Sequence, residues 1–313
     1  MKRVHVAVGV LCNERHQVLV SLRPKHVHMG GLWEFPGGKL EAQETTLEAL
    51  RREFNEELGV TVSSALPLIR IHHDYPDKRV LLDVWRVTDW SGRPVGREGQ
   101  RVEWVTPHVL HQLNFPDANR PIIQAIGLPD AYPIIDASLG GPDVLMQHFE
   151  ACLEAGYRML QLRAKSWSAE TFAPFVEKAL DCARAHDARV LLNSDIETAK
   201  QLGANGVHLS GEALMSLDQQ VDFAGLLVGA SCHDLAQLHQ VERIGAHFAV
   251  LSPVKETRSH PGAPAMGWET FGKLVDRVNL PVYALGGLGL DDLEQARACG
   301  AQGLAGIRLF TNS

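Results

Sequence analysis

A chain of 313 residues carrying a net charge of −7 has no general electrostatic means of holding a nucleic-acid polymer or an anionic membrane surface. Apolar residues at 45% and charged residues at 21% are globular proportions, and no run approaches the ~18 uninterrupted apolar residues that mark a membrane span. The length predicts two domains of ~100–200 residues each.

Met1-Lys2-Arg3 leads into Val4-His5-Val6, which alternates like a strand and lacks a signal-peptide core. Cys12, Cys152, Cys182, Cys232 and Cys299 are scattered without a CxxC pair, predicting reduced thiols in a cytoplasmic protein. Strands are predicted from Val4 to Cys12 and from Gln17 to Leu22, and the polar insert Asn13-Glu14-Arg15-His16 makes the pair read as a hairpin. A helix is predicted from Thr46 to Leu58, and strands at Pro67 to His72, Val80 to Thr88 and Gln100 to Val105. The pattern is α+β.

Around Gly127-Leu128-Pro129-Asp130 the texture changes. Strands are predicted at Tyr132–Asp136, Met159–Leu162, Val190–Asn193, Gly206–Leu209, Leu227–Ser231, Phe248–Leu251, Val282–Leu285 and Gly303–Ile307. Helical segments such as Asp143–Ala155 and Ala169–Ala185 fill the gaps. Eight strands alternating with helices predict a compact α/β (β/α)8 barrel. The predicted domains are residues 1–128 and 132–313.

The helix over 46–58 carries the chemistry. Thr45 with Glu48 forms a capping-box pair, and Gly59 stands where a left-handed residue ends a helix. Leu47, Leu50, Phe54 and Leu58 share one stripe, while Glu53, Glu56 and Glu57 cluster on a neighbouring stripe ~110° round. Three such carboxylates repel one another unless a cation sits among them, and oxygen-rich sets suit Mg²⁺ or Mn²⁺ with a substrate diphosphate. Taken alone, a trio of helical glutamates is more often a solvated acidic face. The surrounding string decides the matter.

Gly38, five residues, Glu44, seven residues, then Arg52-Glu53-Phe54-x-Glu56-Glu57-x-Gly59-Val60 resembles the Nudix signature at every defining position. The resemblance implies an α+β Nudix fold with metal-assisted hydrolysis of a nucleoside di- or triphosphate or a related diphosphate. It implies metal ligation by Glu53, Glu56 and Glu57, with backbone groups from Gly37 or Gly38. Arg52 and Glu44 would organise the loop and helix. Glu98, in Gly96-Arg97-Glu98-Gly99-Gln100, stands outside the box where related enzymes place another catalytic, metal-binding glutamate. Glu53 and Glu98 are the candidates for taking the proton from water.

Val6-Ala7-Val8-Gly9-Val10, Glu34-Phe35-Pro36-Gly37-Gly38-Lys39, Tyr75-Pro76-Asp77, Glu103-Trp104 and Phe115-Pro116-x-Ala118-Asn119-x-Pro121 extend the match to the MutT branch. That branch sanitises oxidised nucleotides in DNA replication and repair by converting 8-oxo-dGTP to the monophosphate and pyrophosphate. The resemblance implies that Asn119 reads the oxidised base and that Arg23, His28 and Phe35 line the nucleotide pocket. Lys78 stands where this branch often has arginine, a forked donor that lysine cannot copy. Two alternatives remain: a thiamine-pathway diphosphate as substrate, and a nucleotide-binding regulatory module without hydrolysis. The intact glutamates speak against the second.

The later part resembles thiamine phosphate synthase and the thiazole tautomerase TenI through Gln161-Leu162-Arg163-Ala164-Lys165, Leu192-Asn193, Gly206-Val207-His208-Leu209, Ser231-Cys232-His233, Leu251-Ser252-Pro253-Val254 and Pro281 to Gly287. All fall at the carboxyl ends of predicted barrel strands, where barrel sites are built. Arg163, Lys165, Gly286 and Gly287 would hold a thiamine-related phosphate. The synthase's two metal-binding aspartates are replaced by Ser194 and Ala213, with Asp195 and Glu212 one residue away as substitutes. His260 replaces the phosphate-loop lysine. These departures imply a degenerate relative with a metal-independent activity or a ligand-binding role, or a scaffold that stabilises or dimerises the hydrolase. His208 and His233 read as structural residues of the barrel mouth.

Overall fold

The computed structural model describes residues 2–26, 29–76, 78–219, 221–257 and 264–310. The chain divides into two compact units, Met1–Leu128 and Pro129–Ser313.

Unit 1 contains β1 (Lys2–Leu11), β2 (Val18–Leu22), β3 (Trp33–Glu34), β4 (Gly37–Lys39), α1 (Thr46–Leu58), β5 (Thr61–Asp74), β6 (Lys78–Ser91), β7 (Arg101–Val105) and α2 (Arg120–Ile126). One sheet has the order β4-β1-β6-β5 and the other β3-β2-β7. β1 runs parallel to β6 from Lys2↔Lys78 to Leu11↔Val87, and antiparallel to β4.

The predicted hairpin of the first two strands is corrected. The turn forms, with Asn13 Oδ1 accepting from the amides of Arg15 and Gln17 at 2.9 and 3.0 Å. Beyond the single bridge Cys12↔Val18 the strands part into different sheets. Asn13 dictates the local reversal, but competition from β6 and β7 decides pairing. β5 is also longer than predicted, because register shifts between Val62 and Ile69 break its alternation.

Helix α1 forms as its residues dictate. Thr45 and Glu48 complete a capping box, and Gly59 closes the helix at φ 70°. Ala49, Leu50, Phe54 and Leu58 are buried in a cluster with Ala7 and Leu11 of β1. Gly9 makes this approach possible, since a Cβ there would lie 2.3 Å from the Phe54 ring.

Unit 2 is a closed parallel barrel of β8 (Ala131–Asp136), β9 (Met159–Arg163), β10 (Arg189–Leu192), β11 (Gly206–Leu209), β12 (Leu227–Cys232), β13 (Phe248–Leu251), β14 (Val282–Ala284) and β15 (Gly303–Gly306), paired in sequence order with β15 joining β8. Helices α3 (Pro142–Glu154), α4 (Ala169–Ala185), α5 (Ile196–Gln201), α6 (Gly211–Met215), α7 (Leu235–Ile244), α8 (Gly267–Val275) and α9 (Leu293–Ala298) alternate with the strands. The eight strands agree with the predicted barrel to within one or two residues at each end. Tyr132, His208, Phe248 and Tyr283 fill the barrel interior with contacting rings. Gly229 leaves space for this layer, because a Cβ there would meet Phe248 at 2.3 Å. Among the described residues no helix is long and apolar enough to cross a membrane, and all five cysteines are free.

Candidate functional site

In unit 1, Arg52 ties the loop preceding α1 to the helix. Its guanidinium donates to both Glu44 oxygens at 2.9 Å, to Lys39 O at 3.1 Å and to Glu53 Oε1 at 2.8 Å. Hydrogen bonds from Arg52 and the Glu41 backbone hold the Glu44 carboxyl below its ordinary range. β4 brings Gly38 against the Glu53 carboxylate, where a Cβ would lie 2.0 Å from Oε1.

Glu57 is the most perturbed acid of this unit. Burial first, then the charges of Glu53, Glu34 and Glu98, push its carboxyl up to about 8, and a backbone hydrogen bond from Gly37 pulls the other way. Four acids from β3, α1 and the loop before β7 therefore share one electrostatic neighbourhood. Glu34 was not singled out by sequence reading; its signal was the Glu34-Phe35-Pro36-Gly37-Gly38 string itself. Glu56 is different, with a side chain 58% exposed and paired to Arg52 Nη1 at 3.3 Å.

Glu98 is exposed, but its loop is anchored. The amide of Arg97 donates to Glu57 O at 2.8 Å, Arg97 Nη1 to Asn55 O at 2.9 Å and Gln100 Nε2 to Glu57 O at 3.1 Å. Arg97 thus covers the carbonyl end of α1, where positive charge is favoured. Sequence reading missed both Arg97 and Gln100 as anchors, although both lie inside the quoted loop motif.

The donor set fits a hard divalent cation: it is all oxygen, and its members repel one another in the absence of positive charge. Among the described residues no three of these acids are already drawn together closely enough to hold an ion. Arg52 occupies Glu53 and Glu56 instead.

Beside this cluster lies a cleft of ≈ 620 Å³. Arg23, Glu34, Phe35, Gly37, Lys78 and Asn119 all line it. Phe35 is buried and stacks on Phe115 with ring centroids 5.1 Å apart, so it is both core and cleft wall. Asn119 is 8% exposed and makes no side-chain capping bond to α2. Arg23 is ion-paired with Glu34. Lys78 lies 5.3 Å from the Tyr75 ring centroid. His28 falls outside the described residues, as does His260 in unit 2.

The barrel mouth is a second concavity, of ≈ 500 Å³. Arg163, Lys165, Asn193, His208, Ser231 and Gly286 are among its lining residues. Gly287 lines an adjoining cavity of ≈ 310 Å³ that also includes Gly286. A Cβ would stand 2.8 Å from Pro253 at Gly286, and 2.2 Å from Glu256 O at Gly287. Among the described residues Asp136 is the only carboxylate on the mouth, and it is ion-paired with Arg163. Burial raises its pKa, but hydrogen bonds from Ser138 and Arg163 hold it below the ordinary range. His208 is buried and accepts or donates at both ring nitrogens, to Tyr132 Oη at 3.3 Å and Ser231 Oγ at 3.0 Å. His233 Nδ1 bonds Ser252 O at 2.8 Å.

The substitute metal ligands suggested by the sequence are corrected. Asp195 caps α5, accepting from Thr198 N and Thr198 Oγ1 at 2.8 Å each. Glu212 is exposed on α6. Neither lines the mouth, because a one-residue shift at the start of a helix turns a side chain from the barrel axis toward the helix's own amides or solvent.

The NUDIX domain family matches residues 7–125, and the thiamine monophosphate synthase family matches residues 131–310. The 8-oxo-dGTP diphosphatase of Escherichia coli K12 is 38% identical over 123 residues, spanning 39% of this chain and 95% of that protein. A thiamine-phosphate synthase of Thermus thermophilus is 32% identical over 172 residues, 55% of this chain and 83% of that protein. A solved MutT structure from work on Aliivibrio salmonicida and Vibrio cholerae is 38% identical, covering 40% of this chain and 97% of that one with a TM-score of 0.36. The chain therefore joins two families, with a MutT-like Nudix pyrophosphohydrolase unit followed by a member of the thiamine monophosphate synthase family.

Proposed function

We propose that unit 1 converts 8-oxo-dGTP to the monophosphate and pyrophosphate with the help of Mg²⁺ or Mn²⁺. One observation carries this reading: Arg23, Phe35 and Asn119 line the same cleft as Gly37, whose neighbour Gly38 lies against the Glu53 carboxylate. The name of the Escherichia coli relative agrees with it. Phe35 offers a flat apolar wall to a purine, and the Asn119 amide offers a donor beside an acceptor for the edge of the oxidised base. Glu53, Glu56, Glu57 and Glu98 would hold the metal, Glu53 and Glu56 on release from Arg52, with Gly37 contributing backbone. A bound divalent ion lowers the pKa of water and offsets charge on the diphosphate. The water oxygen forms its bond to one phosphorus of the α,β-anhydride as the anhydride P–O bond to that phosphorus breaks, giving the monophosphate and pyrophosphate, and the water proton passes to Glu53 or Glu98.

The test is Mg²⁺-dependent hydrolysis of 8-oxo-dGTP, dGTP, thiamine diphosphate and the thiamine-pathway pyrimidine diphosphate by the intact chain. Preference for 8-oxo-dGTP, lost by several orders of magnitude in Glu53→Gln, supports the reading. Preference for either thiamine-pathway diphosphate overturns the substrate assignment, and normal turnover by Glu53→Gln overturns the site.

For unit 2 we propose a metal-independent site for a thiamine-related phosphate, without synthase turnover. Asp195 is committed to a helix cap, Glu212 to solvent and Asp136 to Arg163, which leaves the mouth cationic. Binding of inorganic pyrophosphate that is unchanged by EDTA supports this reading. Binding that requires Mg²⁺, or formation of thiamine phosphate, overturns it.

A further inference from the structure

Asp83 is a carboxylate set into the middle of a sheet, and the donors around it come from four elements of unit 1. It stands in β6 opposite Ala7 of β1 and Arg70 of β5, and it is 6% exposed. A carboxylate only accepts hydrogen bonds. Oδ2 accepts from Thr46 Oγ1 at 2.8 Å and from His5 Nε2 at 3.3 Å. Oδ1 accepts from Trp85 Nε1 at 3.0 Å, and Arg70 Nε lies 3.8 Å away. Burying a carboxylate is costly, and an apolar side chain would fill the same space more cheaply, so the charge calls for a use beyond packing.

Thr46 is the first residue of α1, and it is not needed to cap the helix, because Thr45 and Glu48 already do so. Its hydroxyl instead reaches a residue 37 positions away. Glu53 and Glu57 follow Thr46 by seven and eleven residues, about two and three turns, so all three lie within about 20° of one line along the helix. That line runs from Asp83 in β6 to β4, where Gly38 packs against Glu53 and the Gly37 backbone bonds Glu57. A rotation of α1 by about 10° would carry groups ~6 Å from its axis through about 1 Å. His5 joins the two ends of this arrangement: its ring meets Asp83, and its carbonyl accepts from Leu40 N, just past β4, at 3.0 Å.

We infer that Asp83 is a positioning residue for hydrolysis in unit 1: by holding Thr46 it fixes the rotation of α1, and so the seats of Glu53 and Glu57 against β4. The inference rests on the hydrolase reading of unit 1. Arg52 cannot serve this purpose alone, because its bonds to Glu53 and Glu56 are the ones that metal loading would break. The bond from Thr46 to Asp83 involves none of the proposed metal-holding side chains, so it is the same with the site empty or filled.

Two measurements on the intact chain test it, with Thr46→Val removing the donor at nearly constant shape and Thr46→Ser retaining it. The first is ¹H–¹⁵N NMR in EDTA, which needs neither metal nor turnover. The Gly37 and Gly38 amide signals are expected to move in Thr46→Val and to return to their original positions in Thr46→Ser. The second is hydrolysis of 8-oxo-dGTP at saturating Mg²⁺, below the melting transition of every variant. Thr46→Val is expected to lower kcat about tenfold with little change in KM, and Thr46→Ser to recover most of it. Asp83→Asn is expected to act in the same direction, and the double variant to be no worse than the more impaired single one. Unmoved Gly37 and Gly38 signals in Thr46→Val, or a kcat equal to that of the unaltered chain, overturn the inference while leaving the hydrolase standing. Absence of hydrolysis by the unaltered chain overturns the hydrolase reading, and the inferred role of Asp83 with it.

Discussion

Gly38 is pressed against the Glu53 carboxylate so closely that a Cβ would stand 2.0 Å from Oε1 and 2.1 Å from Cδ. The obstacle is the end of a flexible side chain, so Gly38→Ala is expected to leave the fold intact and to displace the carboxylate instead. Displacement by about an ångström costs on the order of 100-fold in turnover. Turnover by Gly38→Ala within a few-fold of the unaltered chain, at equal melting temperature, would show that Glu53 need not sit where β4 confines it.

Arg97 does two things from an exposed position: it covers the carbonyl end of α1 at Asn55, and its amide holds the loop carrying Glu98 to Glu57. A Cβ at Gly59 would lie 2.5 Å from its guanidinium, so the glycine lets Arg97 lie close against the end of α1. Arg97→Ala is expected to cost on the order of 1 kcal/mol in stability through the helix terminus and lost packing. It is also expected to lower kcat about tenfold with little change in KM, since Glu98 is not among the residues lining the cleft of Arg23, Phe35 and Asn119. A change confined to KM would place the loop at the substrate rather than at the chemistry.

Asn119 combines burial with freedom from capping duty. Asn119→Ala is therefore expected to spare the fold while discrimination between 8-oxo-dGTP and dGTP falls by roughly 100-fold, the scale of one paired hydrogen-bond set in a buried site. Equal discrimination before and after substitution would remove Asn119 from base reading.

His208 sets an acid limit on unit 2. Its folded pKa of about 3 lies below the ~6.5 of an unfolded histidine. Below pH ~6.5 the unfolded chain binds a proton that the folded chain refuses, so stability falls as pH drops through this window, by up to ~1.4 kcal/mol per unit; above it the group contributes nothing. His148 is also lowered, by burial, so the comparison with His208→Gln isolates the effect. The urea midpoint of the unaltered chain is expected to fall more steeply than that of the variant between pH ~6.5 and ~5. Parallel profiles would contradict a buried neutral His208.

Helix α1 was legible to the residue because every signal for it is local: the Thr45–Glu48 box, the Leu50, Phe54 and Leu58 stripe, and Gly59 as terminator. The eight barrel strands were legible for a related reason, since a strand buried on both faces is a short apolar run whatever its neighbours. β3 and β4 were not, because Trp33-Glu34 and Gly37-Gly38-Lys39 have no apolar periodicity and become strands only through pairing with β2 and β1. The hairpin misreading has the same origin: Asn13 signals a turn, but which strand each arm then pairs with is a contest among distant segments.

The sequence by itself determined which chemical groups this protein owns: the glutamates of α1, the amide of Asn119, and the cations Arg163 and Lys165. Their types and local spacing follow from backbone periodicity, which acts over a few residues. Only the tertiary structure decided which of them meet. It brought Glu34 and Glu98 to Glu57 and turned Glu56 toward Arg52. It committed Asp195 to a helix cap and set Tyr132 behind His208 and Ser231. Burial and charge coupling depend on separations across the fold, and residues as far apart as Tyr132 and Ser231 acquire a common electrostatic state only once the barrel closes around them.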